Sequence, residues 1–452
     1  MQVILANILN LMISIGNGFL LPKYLSIESY AVLKTFLLYT SYIGVLHFGY
    51  VDGIYIKYGG KALGELGAED IADSKRALSV FQFGMTLLIV IISFLMGDFI
   101  LLFTAISILP INMVSFFRLL YQATGEFKEY RHIVNLSSIL IFALNLYFLF
   151  IIKTDCSLWY IGIQVTVTFI VWTYYEGKNR IYGIKEKTSL KTMWVRLRET
   201  IRAGIIVMLG NFMGVWIASI DRWFVKIFYS IAEFAYYSFA VTMLRLINVV
   251  VTAFSVTLYN FFCKKPSDEE IAMLRKSVLV IGGVIIAVIF PLEFIIRTYL
   301  VKYIYAISVI KALFLAQFVL IEINAIYLNL YKALNLQRKY LRQMIIITIT
   351  AFFLNGLIGY LWNDITAYAV ATLLTALIWL ILCQRDLAQY KMAYTEWAYL
   401  LLTIAVYLFS NYLNIWIGCF VYVGWVVTAA FLFFSKDIKK LVERQTCKNP
   451  AS

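Results

Sequence analysis

Long apolar segments follow one another along almost the entire chain, and they restrict its fold more than any other feature. A membrane-spanning helix needs about 20 mostly apolar residues, and about fourteen segments between charged or turn-rich breaks qualify. Only 14% of the 452 residues are charged, against about 25% in soluble proteins. The sequence therefore predicts an all-α polytopic membrane protein. The predicted spans are 3–21, 30–54, 77–97, 99–121, 133–152, 157–175, 203–221, 232–262, 277–297, 305–331, 343–361, 365–383, 395–411 and 414–434.

The basic residues of the connecting loops predict the orientation. Short cytoplasmic loops of membrane proteins are enriched in Lys and Arg. When the N-terminus is placed inside and the loops are assigned alternately, about 30 of the 39 Lys and Arg residues fall on the cytoplasmic side. The N-terminal segment has no basic n-region and no small-residue cleavage pattern, so it is predicted to be a retained first span. Both termini are therefore expected in the cytoplasm.

Two short patterns recur at a distance close to half of the chain. Ser-Ile-x-x-aromatic-Ala occurs at 26–31 and at 230–235, each time at the start of an apolar segment. YQATGEFKEYR, from Tyr121, and YKALNLQRKYLR, from Tyr331, each follow the fourth span of their half. An even number of spans in each half gives both halves the same orientation. We therefore expect two six-helix bundles related by a pseudo-two-fold axis along the membrane normal, followed by an additional helix pair.

The repeat and two local sequence features predict how the chain is divided and how its helices pack. Gly210 and Gly214 form a G-x-x-x-G pattern in span seven, which is typical of closely packed membrane helices. The longest inside loop is strongly basic, which suits an anionic membrane surface or simple anchoring of the topology. The predicted parts are an N-terminal six-helix lobe (1–175), a basic cytoplasmic linker (176–202), a C-terminal six-helix lobe (203–385), an additional helix pair (386–435) and a basic cytoplasmic tail (436–452).

Ionisable residues inside the apolar segments are candidate functional residues, because charge in the hydrocarbon core is costly. Arg245 lies about eleven residues into span eight, roughly 16 Å along the helix and near the bilayer midplane. Two roles are open for it: a cation of a substrate cavity, or a structural partner of Glu322 at similar depth. Gln317 and Asn324 flank Glu322 and favour a polar stripe along span ten.

Three further charged residues lie near the outer ends of spans. Lys34, in span two, is suited to be either a cavity cation or an interfacial anchor with an extended aliphatic stem. Asp221 and Arg222 end span seven, where a local turn or an interfacial pair is the alternative to a binding role. The candidate substrate-binding cations are Arg245, Lys34 and Arg222. The candidates for ion coupling or a polar stripe are Glu322, Asp221, Asn324 and Gln317.

Three segments resemble a family of membrane transporters. They are FGYVDGIYIKYGGK at the end of span two, YQATGEFKEY after span four, and ASIDRWFVKIFYSIAEFAYYSFA across spans seven and eight. They are similar to the polysaccharide-transporter and Wzx-type flippase branch of the MOP superfamily. The resemblance implies a multi-pass protein of the bacterial inner membrane that acts in O-antigen and lipopolysaccharide biosynthesis. Its implied activity is to flip an undecaprenyl-pyrophosphate-linked oligosaccharide repeat unit outward by alternating access.

That substrate would require positive charge within the protein. A pyrophosphate headgroup needs a water-filled, cationic cavity between the lobes, whereas the polyprenyl tail can stay in lipid. The expected partners are the lipid-linked oligosaccharide, membrane lipids and polysaccharide polymerase machinery, without nucleic acid.

The sequence is less compatible with other classes of function. It contains no Walker A motif, metal-ligand cluster or nucleophile elbow, so neither an enzyme nor a metal or organic cofactor is expected. The driving force is then expected from the membrane potential or a coupling ion, H⁺ or Na⁺, with Glu322 as its candidate site. A MATE-like ion-coupled exporter of small molecules is one alternative. A membrane polysaccharide polymerase is another, although such proteins generally carry a large external loop.

Overall fold

A computed structural model describes residues 2–179 and 190–447, and those residues form helices and connecting turns with no β-strand among them. The chain divides into two compact units, Met1–Ser219 and Ile220–Ser452. The first unit contains α1 Gln2–Tyr24, α2 Ile27–Thr40, α3 Tyr50–Tyr58, α4 Ala68–Met96, α5 Phe99–Ala123, α6 Phe127–Leu146, α7 Ser157–Lys178 and α8 Leu190–Ile217. The second contains α9 Ile220–Phe228, α10 Ile231–Cys263, α11 Asp268–Ile286, α12 Ile289–Thr298, α13 Ile307–Glu322, α14 Leu328–Ala333, α15 Gln337–Leu361, α16 Thr366–Asp386, α17 Tyr394–Ser410 and α18 Ile415–Cys447.

Helices long enough to cross a bilayer dominate both units. Within the described residues, nine helices are long and apolar enough to span a membrane, and the bent pair α2–α3 makes a tenth when it is counted as one. This confirms the predicted all-α multi-pass membrane protein, while the count of fourteen spans stays a prediction. Residues 180–189 of the predicted linker lie outside the described residues, as do the side chains of the predicted tail, 436–452.

The second predicted span, 30–54, is not one continuous helix. α2 ends at Thr40, a short 3-10 segment follows, and α3 continues at an angle of 59°. Phe48 and Gly49 between them have φ values of 50° and 83°. An α-helix cannot continue through residues of positive φ, so this dipeptide breaks the span. The predicted span 30–54 is therefore divided into two helices that meet at a bend.

The break brings α3 against α8 with the two backbones in contact at glycines. A Cβ on Gly204 would lie 2.1 Å from the carbonyl oxygen of Gly49 and 2.2 Å from the backbone nitrogen of Gly53. A Cβ on Gly53 would lie 2.0 Å from a carbonyl oxygen of α8. The packed G-x-x-x-G pair of this unit is therefore Gly49 and Gly53. The prediction for Gly210 and Gly214 was wrong, because a Cβ at either meets no described atom within 4 Å.

Both copies of the Ser-Ile-x-x-aromatic-Ala pattern are helix N-caps. Ser26, before α2, has φ −61° and ψ 162°, and its hydroxyl accepts a hydrogen bond from the N–H of Ser29. Ser230, before α10, has φ −67° and ψ 162°, and its hydroxyl accepts from the N–H of Glu233. The Glu233 carboxylate in turn accepts from the Ser230 N–H at 2.9 Å, which completes a capping box. The repeated sequence thus encodes the same helix start in each unit.

The second repeated pattern also encodes one local structure. The N–H five residues after Tyr121 and the N–H five residues after Tyr331 each donate to the tyrosine's own carbonyl at 2.8 Å. Gly125 and Asn335, just before those N–H groups, have φ values of 78° and 55°. This is the six-to-one hydrogen bond of a Schellman helix end. Both tyrosine hydroxyls also form a hydrogen bond with a side chain at the end of a later helix, α7 or α16.

Candidate functional site

Two of the predicted site residues, Asp221 and Arg222, lie on α9, and a third, Arg245 on α10, is near enough for its charge to act on Asp221. Asp221 is buried, and its carboxylate accepts hydrogen bonds from the backbone N–H of Arg222 at 2.7 Å and the hydroxyl of Tyr237 at 2.8 Å. The positive charges of Arg222 and Arg245 both act on this carboxylate. Tyr237 and Arg245 are about two helical turns apart on α10, so both lie on one face of that helix. We call Asp221, Arg222 and Arg245 the arginine cluster.

The arginine cluster carries a net positive charge, because two guanidinium groups accompany one carboxylate. Arg222 is buried with Asp221, and their opposite charges limit the cost of removing each from water. Arg245 is exposed, so its planar guanidinium can present N–H donors to a ligand. Guanidinium donors match the spacing of phosphate oxygens and bind them in bidentate fashion. The cluster is therefore chemically suited to a phosphate-bearing ligand.

Lys34, the third predicted cation, lies on α2 in the first unit. Its side chain is half-buried, and its ammonium group is 4.9 Å from the centre of the Tyr30 ring. Tyr30 precedes it by one helical turn, so the contact is a local cation–π interaction. A role for Lys34 in substrate binding stays a prediction.

Glu322 lies at the end of α13 and does not pair with Arg245. It is fully buried, and within the described chain neither carboxylate oxygen accepts a hydrogen bond. The charges that act on it belong to Arg275 and Glu396. Equal depth along two helices therefore did not predict a contact, because depth says nothing about which helix faces meet.

The residues of the polar stripe predicted on span ten differ in their hydrogen bonding, and the stripe stays a prediction. Gln317, on α13, is buried, and its side-chain nitrogen has no hydrogen-bond acceptor among the described residues. Asn324 lies in the π-helical segment that follows Glu322, and its amide donates to the carbonyl of Leu320 at 2.8 Å. Its polar group therefore serves its own helix, whereas Gln317 and Glu322 keep unused hydrogen-bonding capacity.

A buried ion pair joins α11 to α17. Arg275 donates to both carboxylate oxygens of Glu396, at 2.7 and 2.8 Å, and to the backbone carbonyl of Tyr390 at 2.7 Å. The Glu396 carboxylate also accepts from the N–H of Ala393 and so caps α17. The first helix of the additional C-terminal pair is thus attached to the second unit through its interior.

Among the described residues there is no group of three or more His, Cys, Asp or Glu side chains suited to hold a metal ion.

Comparison with known proteins gives matches among solved structures. No protein-family model matches the chain, and no curated protein matches it. A structure of the lipid II flippase MurJ in an inward closed conformation superposes with a TM-score of 0.70 and 13% sequence identity, covering 96% of this chain and 99% of that one. The chain has a MurJ-like fold. A structure of a MATE protein in complex with Br-NRF covers 85% of this chain and 95% of that one at 13% identity, but its TM-score is only 0.45.

The MurJ-like fold confirms the fold class predicted from sequence, and the assignment to the MOP superfamily stays a prediction. The Wzx-type branch within that superfamily stays a prediction.

The sequence did not predict the Arg275–Glu396 pair, because its members are 121 residues apart. A pair of Arg297 with Glu293 was also missed, although its (i, i+4) spacing on α12 is a recognisable helical signal.

Proposed function

We propose that this protein is a flippase for an undecaprenyl-pyrophosphate-linked oligosaccharide repeat unit. It would move this lipid from the cytoplasmic to the outer leaflet of a bacterial inner membrane by alternating access. The observation that carries the proposal is the arginine cluster, within a fold shared with a lipid II flippase. That flippase acts on a lipid, which supports a lipid-linked substrate for this chain as well.

The arginine cluster would bind the pyrophosphate headgroup. A phosphate group that leaves water needs positive charge and N–H donors to replace its hydration. In our proposal the exposed Arg245 makes the first contact, and Arg222 contributes positive potential from its buried position beside Asp221. Asp221 limits the net charge, so the headgroup is held without being bound too tightly for release. Lys34 is a further candidate cation in the first unit.

Glu322 is our candidate for ion coupling. A buried ionised carboxylate without donors is costly, so this group is stable when it carries a proton or holds a cation. Release of that H⁺ or Na⁺ would leave a negative charge that attracts Arg275 away from Glu396. An ion gradient would in this way alter the attachment of α17 to α11 and drive a conformational change of the second unit.

Deletion of the gene that encodes this protein, in the bacterium that carries it, tests the proposed function. Lipid-linked oligosaccharide should then accumulate, and a membrane-impermeant oxidant such as periodate, applied to spheroplasts, should label less of it than in the parent cells. The wild-type chain should restore labelling, and Arg245→Ala should restore it about tenfold less efficiently or worse, as expected for loss of a charge-assisted hydrogen bond. Arg245→Lys should restore it in part, because it keeps the charge without the planar fork.

Arg338→Ala is the matched control, because Arg338 is an exposed arginine of the same unit at the start of α15. It should restore labelling fully at equal expression. Unchanged labelling after deletion would refute the flippase function. Full restoration by both Arg245 variants would instead remove the arginine cluster from the substrate site.

A further inference from the structure

The second unit contains a pocket of about 480 Å³ that is separate from the arginine cluster. This volume lies within the range of small-molecule sites, roughly 300–1,000 Å³. The pocket is formed at one end of the unit by the start of α10, the end of α12, the start of α13 and the turn before α16. The loop charges predict that this end lies outside the cytoplasm. Its polar and aromatic lining includes Glu233, Tyr236, Arg297, Tyr305, Lys311 and Asp364.

Two tyrosine rings line one side of this outer pocket. The ring centres of Tyr236 and Tyr305 are 5.7 Å apart at 41°. Tyr236 is supported from behind by Tyr303, whose ring also packs on Phe239 with centres 4.4 Å apart. Tyr305 is 74% exposed and therefore offers ring surface to a ligand. A supported ring beside an exposed ring is suited to pack against the apolar C–H face of a sugar.

The charges of the outer pocket argue against an anionic ligand. Glu293 is buried beneath it and accepts hydrogen bonds from Arg297 at 2.7 and 3.0 Å, while its other oxygen lies 2.8 Å from the Lys311 ammonium. Both cations are therefore fixed in place and share the single negative charge of Glu293. Glu233 and Asp364 add two carboxylates to the lining. Three carboxylates therefore surround two cations, so the pocket offers phosphate no net positive charge and leaves acceptors for hydroxyl groups.

The two lining carboxylates are held by backbone contacts. Glu233 accepts a hydrogen bond from the N–H of Ser230 at 2.9 Å, and Asp364 accepts from the N–H of Thr366 at 2.6 Å. A carboxylate has two oxygens and several lone pairs, so each retains capacity for a ligand hydroxyl. Fixed acceptors on one side and fixed N–H donors on the other match a polyol, whose hydroxyls both donate and accept.

We propose that the outer pocket binds a neutral saccharide residue of the transported glycan. This inference rests on the proposed function and divides the substrate between two chemistries: pyrophosphate at the arginine cluster and sugar at the tyrosines. The two sites begin at adjacent residues of α10, because Tyr237 binds Asp221 while Tyr236 lines the pocket. The pocket would hold the glycan on the outer side of the membrane after the headgroup has crossed.

Binding of the free glycan to the full-length protein in nanodiscs tests this pocket. The probe is the oligosaccharide released by mild acid from the lipid-linked pool that accumulates in deletion cells. Saturation-transfer NMR should detect its binding to the wild type. Tyr305→Ala and Tyr236→Ala should each weaken the affinity by about three- to tenfold, the size expected for losing one aromatic contact. Tyr305→Phe keeps the ring and should bind like the wild type.

Tyr412→Ala is the matched control, because Tyr412 is 90% exposed in the same unit and does not line the pocket. It should leave binding unchanged, and inorganic pyrophosphate should not displace the glycan. Unchanged affinity in Tyr305→Ala and Tyr236→Ala, or displacement by pyrophosphate, would overturn the saccharide pocket while leaving the flippase function intact. Failure of any lipid-linked pool to accumulate would instead refute the flippase. Titration of the protein with glucose, galactose and N-acetylglucosamine would then test whether the pocket binds saccharides. Absence of binding that depends on Tyr236 and Tyr305 would refute the saccharide pocket.

Discussion

The glycine contact between α3 and α8 allows a stability prediction with a worked magnitude. In Gly204→Ala the new Cβ would stand 2.1 Å from the Gly49 carbonyl oxygen, whereas such contacts essentially never fall below 3.0 Å. Both obstacles, at Gly49 and Gly53, are backbone atoms, so no side chain can rotate away and the helices must separate by about 1 Å. A gap of 0.5–1 Å loses about a quarter to a half of the dispersion energy at each contact.

We expect a net loss of about 1–2 kcal/mol in the free energy of unfolding for Gly204→Ala. Overpacking costs about 1–3 kcal/mol, and replacing a helical glycine by alanine returns about 0.5–1 kcal/mol. Reversible unfolding in mixed micelles, followed by circular dichroism, measures the difference. Gly210→Ala on the same helix is the control, and it should stabilise by about 0.5–1 kcal/mol because a Cβ there meets open space. Equal stability of the two variants would refute the close backbone contact.

Three other variants probe the second unit. Arg275→Met should lower the free energy of unfolding by about 3–5 kcal/mol, because it leaves the Glu396 charge buried and unpaired. The double variant Arg275→Met with Glu396→Leu should recover most of that loss. Thermal unfolding in detergent compares the single and the double variant with the wild type. Ser230→Ala should cost about 1 kcal/mol by removing the N-cap of α10, measured by the same micelle titration. Glu322→Gln should preserve the fold but abolish stimulation of transport by a pH or Na⁺ gradient in vesicles. A normal gradient response in that variant would exclude Glu322 from coupling.

Much of the fold could be predicted from the sequence, because membrane spans are encoded locally. The length of the apolar segments predicted the class of protein. The repeated serines marked two helix starts, and Ser26 and Ser230 adopt the same N-cap geometry. The break in span two was harder to predict, because Phe48 and Gly49 lie inside an apolar run. The pairing of α3 with α8 depends on Gly204, which is distant in sequence from Gly49 and has no motif of its own.

The candidate site could be predicted residue by residue but not in its pairings. Asp221 and Arg222 are neighbours in the chain, and their meeting with Arg245 follows from how α9 packs on α10. The position of Glu322 was predicted as mid-span, yet its charged neighbours include Arg275, which no spacing rule connects with it. The rotation of each helix about its own axis decides such contacts. This rotation is difficult to predict from a sequence whose helices lack strong amphipathic faces.

Reconstitution of the purified chain with lipid-linked oligosaccharide is the most direct test of the proposed flippase. The lipid would be placed in both leaflets of sealed vesicles, and a membrane-impermeant oxidant would report the share of glycan that faces outward. We predict that the wild-type protein makes the inward-facing share accessible over time, and that Arg245→Ala does so about tenfold more slowly or worse. An outward share that stays constant in the presence of folded wild-type protein, with and without an ion gradient or membrane potential, would contradict the account.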